Sequence, residues 1–271
     1  MTTTTPASQT TAGRLLARRP ILVSSALLVG GSWLSHLAAR AVGLPPEAGI
    51  LGSLLVFLVV PLAVSAALGG RREVRGLLRR LVQWRFAPRW WLASLVALPV
   101  LTVGVARATG TYRAPAAGWT AEIAAYAVMG LLVLGVTGNV VEEMAWGGLV
   151  QTRLMERHGL VIGSFLTSVP FALAHVPLAF AGQDAGTVDW AAVGLSLAVT
   201  TAVAPIMRYV LGAVLLGSGG SVLAIAAMHA SFNAAGKLSV LDGWWQYVVA
   251  LSLLALAMAL HQLLRRPARV S

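Results

Sequence analysis

The sequence predicts an all-α fold, a polytopic transmembrane helical bundle of about eight spans, and three observations predict it. Of its 271 residues, 58% are hydrophobic and only 11% are charged, whereas a soluble domain carries about 25% charged and 45–50% apolar residues. So little charge cannot cover a water-exposed surface, and lipid requires none. The apolar residues also fall into runs of the roughly 20 residues that a helix needs to cross a bilayer. Finally, the basic residues collect in alternate gaps between those runs.

The runs are 20–39, 48–68, 90–106, 119–150, 160–181, 190–216, 219–241 and 244–264. Before them lies a Thr-rich stretch, 1–13, expected to be a disordered tail; residues 14–271 are read as a single transmembrane domain. Arg14, Arg18 and Arg19 precede the first run, as they would in a signal peptide, but the run is longer than the ~7–15 residues of a signal core. It is read as a retained span. Trp90, Trp91, Trp119, Trp190, Trp244 and Trp245 stand at run ends, where interfacial aromatics belong. The sixth run is interrupted by Pro205 and Arg208.

Residues 70–86 are too polar to span. Val74, Leu77, Leu78, Leu81 and Val82 recur at helical spacing opposite a basic face, which predicts an amphipathic helix on the anionic cytoplasmic surface.

Charge sets the topology. One set of alternate gaps holds Arg14, Arg18, Arg19, Arg71, Arg72, Arg75, Arg79, Arg80, Arg85, Arg89, Arg153, Arg157, Arg208, Arg265, Arg266 and Arg269. The other set holds Arg40, Arg107, Arg113 and Lys237. Sixteen against four places both termini in the cytoplasm of a multi-pass cell-membrane protein. The net charge of +11 is thereby explained by topology, with the lipid bilayer as partner and no nucleic acid. There are no cysteines, which excludes thiolate catalysis, disulfides and Cys-ligated metal.

Ionisable groups inside a bilayer are costly, so each one asks for a reason. The fourth run contains Glu142 and Glu143, roughly 15 Å below its cytoplasmic end. The fifth contains His175, and the seventh His229 and Asn233. His229 and Asn233 are four apart and share a helix face, as do Phe171 and His175. The two glutamates are about 100° apart around their helix, so one is expected to face substrate and the other to take a structural role. A lone His or Asn in a span is often only an interhelical hydrogen-bonding residue. Five such groups on three helices point to a shared site, either for chemistry or for ion or proton conduction.

The set resembles the CPBP family, the CaaX-protease and bacteriocin-processing group. Its motifs are Glu-Glu-x-x-x-Arg, Phe-x-x-x-His and His-x-x-x-Asn, in that order. Here they read Glu142-Glu143 with Trp146, Phe171 with His175, and His229 with Asn233, within a protease-like core of about 119–241. The resemblance implies an intramembrane endopeptidase acting on a membrane-associated protein or peptide. Eukaryotic members remove the last three residues of prenylated CaaX proteins, and bacterial ones are linked to bacteriocin maturation and immunity.

Glu142 would activate a water, with His175 positioning it, while His229 and Asn233 would stabilise the oxyanion. Trp146 and Phe171 would line the substrate. No cofactor is expected; a zinc version with His and Glu ligands stays open.

One position departs from the pattern. The family arginine falls at 147, and this chain has Gly147. That opens a second reading, a non-catalytic scaffold or immunity factor of the same fold. It also leaves Glu143 without its cation. Arg208 is the basic residue that a span can hold at nearly the same depth. It either enters the bundle as the replacement partner or marks the helix end and snorkels to the headgroups.

Overall fold

The computed structural model describes residues 11–181, 183 and 187–264, and over these the chain is helical. Helix α1 (Thr11–Arg18) leads into α2 (Pro20–Ala41), α3 (Pro46–Leu81) and α4 (Pro88–Ala108). A long helix, α5, follows over 118–151; it is built from Gly118–Ala125, the wide π-type turns Tyr126–Asn139, the short α-segment Val140–Glu143, and more π-type turns Met144–Gln151. Then come α6 (Thr152–His175), α7 (Trp190–Gly217), α8 (Val222–Ala235) and α9 (Trp245–Leu264). Of the expected disordered tail 1–13, residues 1–10 lie outside the described residues and 11–13 begin α1.

Each of the eight apolar runs produces an apolar helix. Six helical stretches are long and apolar enough to cross a membrane, and Gly118–Val133 and Val222–Ala235 are shorter. One of the six, Val140–Phe180, is folded back on itself. Gly159 (φ 76°, ψ 175°) breaks the helix, a conformation open to glycine at little steric cost. Contacts then nest outward from it. A Cβ on Gly163 would touch Met155, Gln151 bonds Ser164, Trp146 packs on Phe171, and Glu142 meets His175. This antiparallel hairpin brings the first two motifs together.

Three expectations need correction. The amphipathic segment 70–86 is helical only to Leu81, entered through non-helical Gly69 and Gly70 (φ 61°). The sixth run is not interrupted, because α7 continues through both Pro205 and Arg208 to Gly217. The seventh run gives a helix of only 14 residues, about 21 Å long, short of the ~30 Å hydrocarbon core.

Burial explains that short helix. Ten of the α8 residues are buried, and α8 packs on α3, α4, α5, α7 and α9. A helix surrounded by protein need not match the thickness of lipid. Its small side chains allow close approach. A Cβ placed on Gly130 of α5 would lie 2.4 Å from that of Ala234, so that contact requires glycine. Ser221 caps the helix, accepting from Ala224 N at 3.0 Å while its hydroxyl donates to Gln83 O at 2.6 Å.

Loop contacts report which gaps share a side. Arg80 donates to Gly220 O, Gly148 O and Thr152 Oγ1, and Gln83 donates to Ser218 O. At the other end Arg40 donates to Gln183 O, Arg113 pairs with Asp242, and Ser239 bonds Glu122. Alternate gaps thus lie together, as the charge pattern requires, and Arg80 turns inward as a clamp instead of outward to headgroups. Arg208 lies within the bundle, so it leaves the cytoplasmic tally without reversing it.

Because the chain lacks cysteine, single reporters are clean. We expect Arg85→Cys to be protected from a membrane-impermeant maleimide in intact cells and Ala116→Cys to be labelled. The opposite pattern inverts the orientation, and labelling of both breaks the alternation.

Candidate active site

The two adjacent glutamates leave α5 in different directions. Glu143 points to α7 and α8, and Glu142 to α6. Wide π-type turns begin one residue later, at Met144, a distortion that often accompanies functional sites.

Glu143 is completely buried and fully partnered. Arg208 Nη1 donates to its Oε2 at 2.9 Å and Nη2 to its Oε1 at 2.5 Å. Both side chains have 0% exposure. The Nδ1 of His229 lies 2.8 Å from the same Oε1. A two-pronged guanidinium–carboxylate pair is among the stronger charge-assisted arrangements, and here it cancels a charge that the apolar interior would otherwise penalise. Arg208 makes further contacts, while its buried Nε–H has no hydrogen-bond partner among the described residues. Nη1 reaches Gln151 Oε1 at 3.3 Å, Gln151 Nε2 returns a bond of 2.6 Å to the Arg208 carbonyl, and the guanidinium carbon stands 4.1 Å from the Phe171 ring centroid.

Gly147 shows why the arginine sits on another helix. A Cβ there would lie 2.8 Å from Glu143 Oε2 and 2.1 Å from Ile225 Cδ1. A side chain at 147 therefore does point at the Glu143 carboxylate, but Ile225 of α8 fills that space. Arg208 supplies the cation from α7. Of the two readings of Arg208, the geometry selects the replacement partner.

Glu142 is arranged differently. Its Oε1 is buried and makes no hydrogen bond within the protein, while His175 Nε2 lies 3.3 Å away. The Nδ1 of His175 is 2.8 Å from the Phe171 carbonyl. A carbonyl only accepts, so Nδ1 carries a proton and Nε2 faces the carboxylate. Phe171 also covers the imidazole, ring centroids 4.2 Å apart.

His229 and Asn233 share a face of α8, His229 buried and Asn233 half-buried. His229 is anchored on Glu143, whereas the Asn233 side chain makes no hydrogen bond among the described residues. Trp146 is fully buried between Phe57 and Phe171, at 5.9 and 5.8 Å, and Phe171 is 4% exposed. In this conformation both form the wall behind the polar groups. Among the described residues no group of three or more His, Asp or Glu is arranged to hold a metal ion; Glu143 is committed to Arg208 and His229, which leaves Glu142 and His175 as a pair.

A cavity of about 730 Å³ adjoins His175 through Val176 and Pro177 and is walled by Trp33, His36 and Phe180. It lies at the end of the bundle opposite the Arg80 clamp, beside Arg40 and Gln183. Sequence reasoning missed Gln151. It directly follows the fourth apolar run and is fully buried.

Residues 123–235 match the family described as type II CAAX prenyl endopeptidase, Rce1-like. The matched residues contain all three motifs and Arg208. No curated protein matches the chain significantly.

Arg208→Met should strand the Glu143 carboxylate and lower stability by about 3–5 kcal/mol. Arg208→Met with Glu143→Leu should recover much of that loss. Thermal unfolding in detergent reads both, and equal midpoints for the two variants would contradict a buried charge pair.

Proposed function

We propose that the protein is an intramembrane endopeptidase that hydrolyses a peptide bond of a membrane-associated protein or peptide, using a water activated by Glu142. The observation that carries this reading is the contrast between the two carboxylates. Glu143 is saturated, whereas the buried Oε1 of Glu142 has no hydrogen bond and stands 3.3 Å from His175. An acceptor in that state suits a general base.

In the proposed reaction a water bound at Glu142 and His175 gives up a proton to the carboxylate as its oxygen adds to the scissile carbonyl carbon. The carbonyl π electrons move onto oxygen. Asn233 donates to that oxyanion through its amide. His229 has its Nδ1–H turned to Glu143, so it donates through Nε2 only as the imidazolium, and the oxyanion balances that charge. Collapse restores the carbonyl and breaks the C–N bond. The leaving nitrogen takes the proton held by Glu142, giving an amine and a carboxylic acid. Glu143 and Arg208 act by holding His229 in place. Trp146 and Phe171 would meet substrate only at the exposed edge of their wall.

The family description supports a protein substrate with a lipid-modified C-terminus. The apolar cavity beside His175 is compatible with such a chain. The rival reading, a non-catalytic scaffold or immunity factor, rests on Gly147. Arg208 weakens its premise, because the charge that Gly147 lacks is present at Glu143.

Cleavage of membrane-tethered peptides, prenylated and unmodified, should be measured in proteoliposomes. Glu142→Gln should lower turnover by about 10²–10⁴-fold, the range of a general base, with an unchanged thermal midpoint. Asn233→Ala should lower kcat by about 10²–10³-fold, the usual loss of one oxyanion donor. Equal activity of wild type and Glu142→Gln would overturn the assignment, and a wild type inert toward every peptide would favour the scaffold.

A further inference from the structure

A second cavity, lined largely by charged groups, lies at the arginine-rich end of the bundle, about one helical turn beyond the Glu142–Glu143 pair. It has a volume of about 970 Å³ and is enclosed by the amphipathic part of α3 and the first turns of α6. Six arginines line it against two glutamates, Glu73 and Glu156. They are not equivalent. Arg80 is spent on Gly220 O, Gly148 O and Thr152 Oγ1, and Arg153 lies 3.5 Å from Glu73. Arg71, Arg72, Arg75 and Arg79 have no hydrogen bond or ion pair among the described residues and ring the opening.

The floor gives a second, independent signal. Ser65 of α3 lines the cavity and is 2% exposed, yet its hydroxyl has no hydrogen-bond partner among the described residues. With that hydroxyl facing the cavity, a polar ligand group reaching the floor can take its hydrogen bond. The depth of the cavity follows from its own wall. Leu78 is 42% exposed on the helix that carries the arginines, and just beyond it Val82 is 69% exposed. Apolar residues on such a helix seat it at the boundary of headgroups and acyl chains.

From these observations we infer that the cavity binds a phosphate group, the headgroup phosphate of an anionic phospholipid. Guanidiniums grip phosphate through paired N–H donors, and basic pockets on the cytoplasmic side of membrane helices take anionic headgroups. The acyl chains of the lipid would run down the apolar face beside Leu78. The site is independent of the peptidase reading, because none of its residues belongs to the proposed catalytic set.

Native mass spectrometry of the full chain in detergent, titrated with phosphatidylglycerol or phosphatidylcholine, tests the assignment. Wild type should retain phosphatidylglycerol preferentially. Arg71→Gln/Arg75→Gln/Arg79→Gln should lose that preference by roughly a hundred-fold, at about five-fold for each surface arginine, with phosphatidylcholine retention and thermal midpoint unchanged. Glu73→Gln frees Arg153 and should raise phosphatidylglycerol retention, a gain that misfolding cannot imitate. Equal retention of the two lipids, or no change in either variant, overturns the proposal. Displacement of phosphatidylglycerol by millimolar inorganic phosphate would assign the cavity to free phosphate and overturn the lipid assignment.

Discussion

A carboxylate buried in an apolar bundle has to be neutralised in place, and the Glu143–Arg208 pair is where this fold meets that demand. The pair draws in three helices directly, because Glu143 belongs to α5, Arg208 to α7 and His229 to α8. Phe171 adds α6 by lying under the guanidinium. Burying the charges costs desolvation that the pair's attraction offsets only with good geometry and further hydrogen bonds. Gln151 supplies one of those bonds. The pair is thus weak evidence of high stability, and strong evidence that these helices have one permitted arrangement.

That constraint divides two chemically identical neighbours. Along an α-helix adjacent side chains diverge by about 100°, and the bundle around α5 is not the same on both sides. On one side stand a cation and an imidazole, which engage both oxygens of Glu143. On the other stands His175, held by the Phe171 carbonyl, which leaves Glu142 an oxygen without a bond. The base proposed at Glu142 must be held firmly and yet have a free lone pair. The first need is met by packing the helices around Glu143, and the second by directing their donors away from Glu142.

Much of this was legible in the sequence, because membrane physics writes it there. Runs of about 20 apolar residues, arginines in alternate gaps and five polar groups in three spans pointed to the helices, the grouping of alternate loops and the site candidates. What stayed illegible depended on who packs beside whom. The 14 residues of α8 read as a full span, since the sequence does not say that protein encloses them. The inward turn of Gln151 and Arg80 was hidden, since Arg208 is 57 residues from Gln151 and the partners of Arg80 are 68 or more residues away. Trp146 read as a substrate contact, since hydropathy does not distinguish a cavity wall from the core behind it. Arg208 was legible as a candidate only through depth arithmetic on two helices, and a distance was needed to decide it.

Moving the cation from position 147 to 208 changes more than its address. An arginine four residues after Glu143 would neutralise it within α5 and would leave the packing of α7 free. An arginine on α7 neutralises it only if α7 is seated against α5, so charge balance and helix assembly become one event. The place vacated at 147 is then filled by Ile225 of α8, which brings the helix of His229 and Asn233 close to the glutamates. Restoring arginine at 147 therefore collides with Ile225 before it can reach the carboxylate, and removing Arg208 strands the charge. Neither step is tolerable alone. Gly147→Arg with Ile225→Ala should rescue the stability of Arg208→Met, while Gly147→Arg by itself should destabilise the wild type; thermal unfolding of the four proteins compares them. Failure of the triple variant to exceed Arg208→Met would mean that the two positions do not serve the same carboxylate.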